Sequence, residues 1–160
     1  MQRYLYKATG ITLGLTYLTL LFTVNALLRL GLGLATDLAT RQSIAFGLGL
    51  LVVVAPLWWL HWRWMQWQYL DATSTVPRDF YTYVMTISVV MLFIIFGSAG
   101  VGVAVLARLT LGILVDATLG WAQSFLAVTA MVVATGVWYL HWRYVMQMGK
   151  SRNVLSVDTR

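Results

Sequence analysis

The chain has 160 residues, of which 60% are hydrophobic and 10% charged, and its formal net charge at pH 7 is +6. A soluble domain is normally about one quarter charged, so this balance, with a mean hydropathy of +0.77, indicates a membrane protein. The sequence has no cysteine, which excludes disulfides, thiolate metal sites, iron–sulfur clusters and cysteine nucleophiles. The basic residues stand at segment ends and form no run, so we expect the lipid bilayer as a partner and no nucleic acid.

Four apolar stretches have the length that a membrane-spanning helix needs, which is roughly 20 residues for about 30 Å of hydrocarbon. They cover about 7–28, 43–67, 80–107 and 119–146, and their middles contain no charged residue. The first stretch is too long for the apolar region of a signal peptide, and no small-residue cleavage motif follows it. We therefore interpret it as a retained helix.

Lysine and arginine predict the orientation, because cytoplasmic segments hold the excess of positive charge. The N-terminus, the second loop and the C-terminus, with their adjoining helix ends, carry eight basic residues, against three in the first and third loops. This predicts an integral membrane protein with four spans and both termini cytoplasmic. The eight are Arg3, Lys7, Arg63, Arg78, Arg143, Lys150, Arg152 and Arg160, and the three are Arg29, Arg41 and Arg108.

An internal repeat of about 80 residues divides the chain into two similar halves. "RLGLGLATD" at 29–37 corresponds to "RLTLGILVD" at 108–116, and "WWLHWRW" at 58–64 corresponds to "WYLHWRY" at 138–144. Each half contains two spans, so both halves face the same way in the membrane. The sequence predicts an all-α, integral membrane four-helix bundle of two tandem, same-orientation hairpins. Its predicted parts are a first hairpin over 1–76, a second over 77–148, and a cytoplasmic tail over 149–160.

The motif "APLWWLHWRWMQ" at 55–66, together with "RYLYKAT" at 3–9, carries a resemblance to a known family. The chain resembles an uncharacterised bacterial four-helix membrane family, a domain of unknown function with repeated R-x-L-Y-x-Y and P-x-W-x-L-H-W-R-W hairpins. The second copy departs from this pattern, with Gly136, Tyr139 and Tyr144 where the first copy has Pro56, Trp59 and Trp64. The resemblance implies the hairpin architecture and implies no activity.

The two short loops each carry one aspartate, and we expect Asp37 and Asp116 to cap helices or to pair with nearby arginines. The regular apolar positions around them predict a brief interfacial helix in each loop. Gly10 and Gly14 have the GxxxG spacing that lets membrane helices approach closely, so helix packing is their expected role.

The chain has two histidines, one in each "LHWR" segment. One interpretation of His61 and His141 is structural, because tryptophan and tyrosine concentrate at membrane interfaces and polar neighbours accompany them there. On this interpretation the guanidinium of Arg63, four residues from both Trp59 and Trp67, lies over one of these rings.

The second interpretation is haem b bound by His61 and His141. In an up-down-up-down bundle the second and fourth helices are diagonal and parallel, so imidazoles at one depth can face each other across the core. Gly10 and Gly14 lie at that depth, where a flat macrocycle needs room, while Arg63 and Arg143 are placed to meet propionates. Against this, tryptophans share the histidine face three residues before each histidine. A weaker alternative is a chlorophyll-type pigment whose metal is held by one histidine.

No Ser-His-Asp set, HExxH motif or carboxylate cluster occurs in the sequence, so we predict that the protein is not an enzyme. The spans also lack the central ionisable residues that mark most transport pathways. The leading hypothesis is an accessory or scaffold subunit of a larger membrane complex, with other subunits or further copies of itself as partners. The alternative is the bis-histidine haem b electron-transfer protein.

Overall fold

The structure, a computed structural model, describes the backbone of residues 2–70, 78–113 and 116–157 and the side chains of 4–67, 79–113 and 116–146. Four helices and no strand occur in these residues, and each helix is long and apolar enough to cross a membrane. The predicted all-α membrane bundle is thereby confirmed. The helices are α1 (Gln2–Gly31), α2 (Leu38–Leu70), α3 (Arg78–Thr110) and α4 (Ala117–Val157).

The helices pack as two hairpins, α1 with α2 and α3 with α4, and α1 makes the closest backbone approach between the hairpins. Over the described residues, no Cα of α2 comes within 8 Å of a Cα in α3 or α4. Large side chains bridge this wider gap instead. The predicted boundary between hairpins at 76 and 77 lies outside the described residues, and the predicted tail begins inside α4, which continues to Val157.

Both hairpins end their first helix in the same way. Gly33 and Gly112 adopt positive φ angles of 69° and 67°, a conformation that costs glycine little because it has no Cβ. The N–H of Gly33 donates to the carbonyl of Leu30 at 3.1 Å, and the next N–H donates to Arg29, the pair of bonds that defines a Schellman cap. Gly112 makes the equivalent bonds, so the repeat extends to the turns.

Aspartates begin the second helix of each hairpin, as predicted. The Asp37 carboxylate accepts hydrogen bonds from the backbone N–H and the hydroxyl of Thr40, at 3.2 and 2.6 Å. The Asp116 carboxylate accepts the N–H groups of Thr118 and Leu119 at 3.0 and 3.1 Å. The predicted interfacial helix in the first loop is wrong, because α2 already begins at Leu38 and the capped turn leaves no room for a separate helix. The one predicted in the third loop falls partly on residues 114 and 115, which lie outside the described residues.

Buried side chains form two clusters, and the partly buried Trp58 and Ile87 pack against both of them. The first lies where α1 and α3 begin and where α2 and α4 carry their histidines, and we call this end the histidine end. Its centre includes Trp62 and Phe80, and Trp58 connects it to the second cluster near the middle of the bundle. In the second cluster, the hydroxyl of Tyr17 donates to the carbonyl of Ala130 at 3.1 Å and ties α1 to α4.

The tightest packing at a described glycine is at Gly47, which lies outside the predicted GxxxG pair. A Cβ added to Gly47 would overlap Thr23 Oγ1, so α1 and α2 approach each other closely at this glycine. A Cβ at Gly102 would meet Ala127 at 3.7 Å, an ordinary contact between α3 and α4. A Cβ at Gly14 would meet nothing within 4 Å, so that glycine is not required for packing within the chain.

Candidate functional site

His141 is fully enclosed at the histidine end, with 0% of its surface exposed. Its ring packs against Trp62 and Tyr83, with centroid distances of 4.7 and 5.8 Å. Nδ1 lies 2.8 Å from the carbonyl oxygen of Val137, one turn earlier in α4. Because a carbonyl only accepts, Nδ1 carries the proton and a neutral imidazole keeps its lone pair on Nε2.

Nε2 of His141 has no hydrogen-bond partner in the described part of the chain. It belongs to a small set of buried polar atoms in the same situation, from helices α2, α3 and α4. The others in this set are Trp58 Nε1, Tyr83 OH, Ser88 Oγ, Ser124 Oγ and Trp138 Nε1. A buried polar atom without a hydrogen-bond partner destabilises the folded state, so each such atom is a candidate for a functional role.

His61 occupies the corresponding place in the first repeat but is partly exposed. Its Nδ1 lies 2.7 Å from the Leu57 carbonyl, so both histidines bond to the preceding turn in the same way. The α2 ring that packs on His141 is that of Trp62, the residue after His61. The structure thus differs from the expected arrangement, in which both imidazoles face each other across the core, and the haem hypothesis stays a prediction.

The two candidate glycines lie in different surroundings. Gly10 faces α3, where an added Cβ would be 3.6 Å from Cε2 of Tyr83, so an aromatic ring already fills the adjacent space. Gly14 borders open space. The described residues therefore do not place these two glycines against one common surface.

The two candidate arginines lie at the exposed rim of the histidine end. The guanidinium of Arg63 is 5.7 Å from the ring centroid of Trp67, which confirms the expected cation–π contact. Arg143 borders a small cavity of about 90 Å³ beside Trp62. In its wall Gln66 Nε2 donates a hydrogen bond to the Tyr144 hydroxyl and links α2 to α4.

A groove between α1 and α3 was not predicted from the sequence. It has a volume of about 510 Å³ and is lined mainly by apolar atoms, with Lys7 and Asp79 among its polar residues. Gly10 and Tyr83 form part of its wall. Tyr6 and Tyr83, which lie near the starts of the two hairpins, both line it.

The described residues contain no group of three histidine, cysteine, aspartate or glutamate side chains placed to hold a metal ion. Comparison with protein-family models, curated proteins and solved structures finds no match to this chain. The family resemblance therefore stays a prediction, and functional inference depends on the geometry alone.

Proposed function

We propose that this chain is a non-enzymatic integral membrane protein, with both termini in the cytoplasm, that serves as an accessory or scaffold subunit by binding another membrane protein along the outer face of α2. The observation that carries the proposal is the peripheral position of α2. In its most apolar 18-residue window 6% of residues are buried, against 11% in α3, 22% in α1 and 33% in α4.

The outer face of α2 has the composition of a membrane helix interface. Gly49, Val52, Val53 and Leu60 recur at helical spacing and are all exposed. A Cβ at Gly49 would meet nothing within 4 Å, so this small residue has no packing role inside the chain. Small residues on membrane helices favour association, because close van der Waals contact replaces the hydrophobic drive that lipid removes.

Site-specific photocrosslinking tests this proposal. A photoreactive phenylalanine analogue at Val52, which is 74% exposed, should crosslink to one membrane protein that also copurifies at fixed stoichiometry. The same analogue at Phe93 on α3, which is 75% exposed, should give only lipid adducts. Gly49→Leu should abolish the protein adduct, whereas Gly136→Leu, another glycine facing open space, should leave it unchanged.

Equal protein adducts from both positions, or lipid adducts alone, would contradict the accessory role. Adducts to a second copy of the chain would show self-association in place of a distinct partner.

The proposed orientation is supported by the excess of basic residues in the N-terminus, the second loop and the C-terminus. The absence of cysteine makes it directly testable. In intact cells a membrane-impermeant maleimide should label Thr36→Cys in the first loop and leave Ser151→Cys unlabelled until the cells are permeabilised. The reverse pattern would place both termini outside.

Haem binding is a second candidate, favoured by one observation. The Nδ1–H of His141 donates to a carbonyl, and this fixes the tautomer that metal-ligating histidines use. The packing around His141 does not fit a haem, because the ring of Trp62 occupies the space beside the imidazole that the macrocycle would need. Haem bound there would supply one-electron transfer.

An absorption spectrum of protein purified from haem-replete cells tests this candidate. A Soret band that disappears on His141→Ala and on His61→Ala would support bis-histidine ligation. A colourless preparation, or a band that survives both substitutions, would refute it.

A further inference from the structure

A second cavity lies at the end of the bundle away from the histidines, between α1, α3 and α4. Its volume is about 720 Å³. Its wall is apolar along most of its length, from Ile94 past Gly97 to Val105, with Leu21 of α1 on the opposite side. A Cβ at Gly97 would meet nothing within 4 Å, so the missing side chain leaves part of this space open.

The dimensions of the cavity select its occupant. Ile94 and Arg108 both line it, and their separation along α3 corresponds to about 21 Å at 1.5 Å per residue. Over that length the cavity forms a channel along α3 that is open to the surrounding lipid at the exposed residues Gly97, Val101 and Ala104. One leaflet of the hydrocarbon core is about 15 Å thick. The channel is therefore long enough for an extended acyl chain, and its apolar wall matches the apolar surface of such a chain.

The charge at the mouth selects the headgroup. Arg108 is the one charged residue in the wall among the described residues, and it lies in the last turn of α3 at the level expected for headgroups. Ser98 and Gln123 add hydrogen-bonding groups to an otherwise apolar lining. A guanidinium binds phosphate oxygens through parallel N–H bonds and favours an anionic lipid over one whose own ammonium balances the phosphate.

We propose that this cavity, between α1, α3 and α4, is a binding site for one anionic phospholipid, with an acyl chain along Gly97 and the phosphate at Arg108. The site is separate from the outer face of α2. The isolated chain is sufficient to test it, so its failure would leave the proposed subunit role untouched.

Native mass spectrometry of the full chain released from nanodiscs of equal phosphatidylglycerol and phosphatidylethanolamine measures this preference. The wild-type protein should retain one phosphatidylglycerol molecule in preference to phosphatidylethanolamine. Arg108→Gln should reduce the preference about fivefold, the change expected for one arginine near an anionic headgroup. Gly97→Leu should lower retention of both lipids by filling the channel.

Two matched variants serve as controls. Arg29→Gln changes the arginine that corresponds to Arg108 in the first repeat, and Gly136→Leu adds the same side chain at another open glycine. Both should retain phosphatidylglycerol as the wild type does, with unchanged helicity by circular dichroism. Equal retention of the two lipids by the wild type, or equal losses in Arg29→Gln and Arg108→Gln, would overturn the proposal. Full retention of both lipids by Gly97→Leu would also overturn the proposal. Because Gly97→Leu does not depend on Arg108, the test remains valid if Arg108→Gln fails to fold.

Discussion

The two "LHWR" segments have the same sequence and opposite surroundings. In α4 the histidine is buried and the tryptophan after it is exposed, with 0% of His141 and 36% of Trp142 accessible. In α2 the tryptophan is buried and the histidine is partly exposed, with 3% of Trp62 accessible. Successive residues of a helix point about 100° apart, so the two copies differ by about one residue of rotation relative to the core.

This difference follows from the position of each helix in the bundle. α4 contacts both α3 and α1, so it is enclosed on two sides, whereas the backbone of α2 approaches α1 alone. The ring of Trp62 extends across the remaining gap to His141 and Tyr83. The sequence repeat therefore determines the depth of the motif in the membrane. The rotation of each helix about its own axis is determined by the helices that pack against it.

Removal of the two tryptophans gives the largest expected difference between the copies. Trp62→Ala should lower the free energy of unfolding by about 3–5 kcal/mol, because it leaves a cavity among several aromatic rings. Trp142→Ala should lower it by about 0.5–1.5 kcal/mol, the loss of its stacking on Trp138 at 5.7 Å. Reversible SDS titration in mixed micelles measures both. Equal losses would mean that the two copies face the core in the same way.

One glycine in each hairpin faces the partner helix, and this pair sharpens the comparison further. Gly47→Ala should lower the free energy of unfolding by about 1–3 kcal/mol, because the new methyl group would overlap Thr23 and push α1 and α2 apart. In the second hairpin Gly102→Ala adds only an ordinary contact with Ala127 at 3.7 Å and should be neutral or slightly stabilising. The same SDS titration measures the change in free energy of unfolding for both variants.

Gly49→Ala is the control for this pair, since it lies two residues from Gly47 on the same helix and faces open space. A loss in Gly49→Ala as large as that in Gly47→Ala would indicate a general effect of alanine in α2 and would contradict a contact-specific cause.

Two tyrosines test whether polar groups stabilise the hairpins equally. Tyr17→Phe removes the hydrogen bond to the Ala130 carbonyl and should lower the free energy of unfolding by about 0.5–1.5 kcal/mol. Tyr83→Phe removes a buried hydroxyl that has no hydrogen-bond partner among the described residues, so it should be neutral or stabilising. A destabilised Tyr83→Phe would show that this hydroxyl has a partner in the folded protein.

Much of the fold is predictable from the sequence, because the signals are local. Apolar length determines the four helices, and the matching glycines and aspartates of the repeat mark the turns where Gly33 and Asp37 have their capping roles. The cation–π contact of Arg63 is also local, since it joins residues four apart on one helix.

The candidate site is less predictable, because it depends on which face of each helix meets its neighbours. The repeat places His61 and His141 at a common depth in the membrane. The sequence around Trp62 does not indicate that this side chain, and not His61, faces the core in α2. The role of Gly47 is equally hidden, since the clash that requires glycine comes from a residue on another helix. The cavity lined by Gly97 arises from three helices together, and periodicity within one helix does not report such a space.

The smallest expected effect concerns the cap of α2 and depends on pH. Hydrogen bonds from the hydroxyl and the backbone N–H of Thr40 hold the pKa of the Asp37 carboxyl below its usual range. A carboxyl whose pKa is lower in the folded protein contributes stability that is fully present above its unfolded-state pKa of about 3.9. That contribution is lost as the pH falls through the lower, folded-state pKa.

Asp37→Asn tests this contribution, because it keeps an oxygen acceptor for the cap and removes the titratable carboxyl. The difference in free energy of unfolding between wild type and Asp37→Asn should therefore be constant above about pH 5 and should shrink toward pH 2. A difference that stays constant down to pH 2, or grows as the solution is acidified, would show that the charge on Asp37 does not stabilise the start of α2.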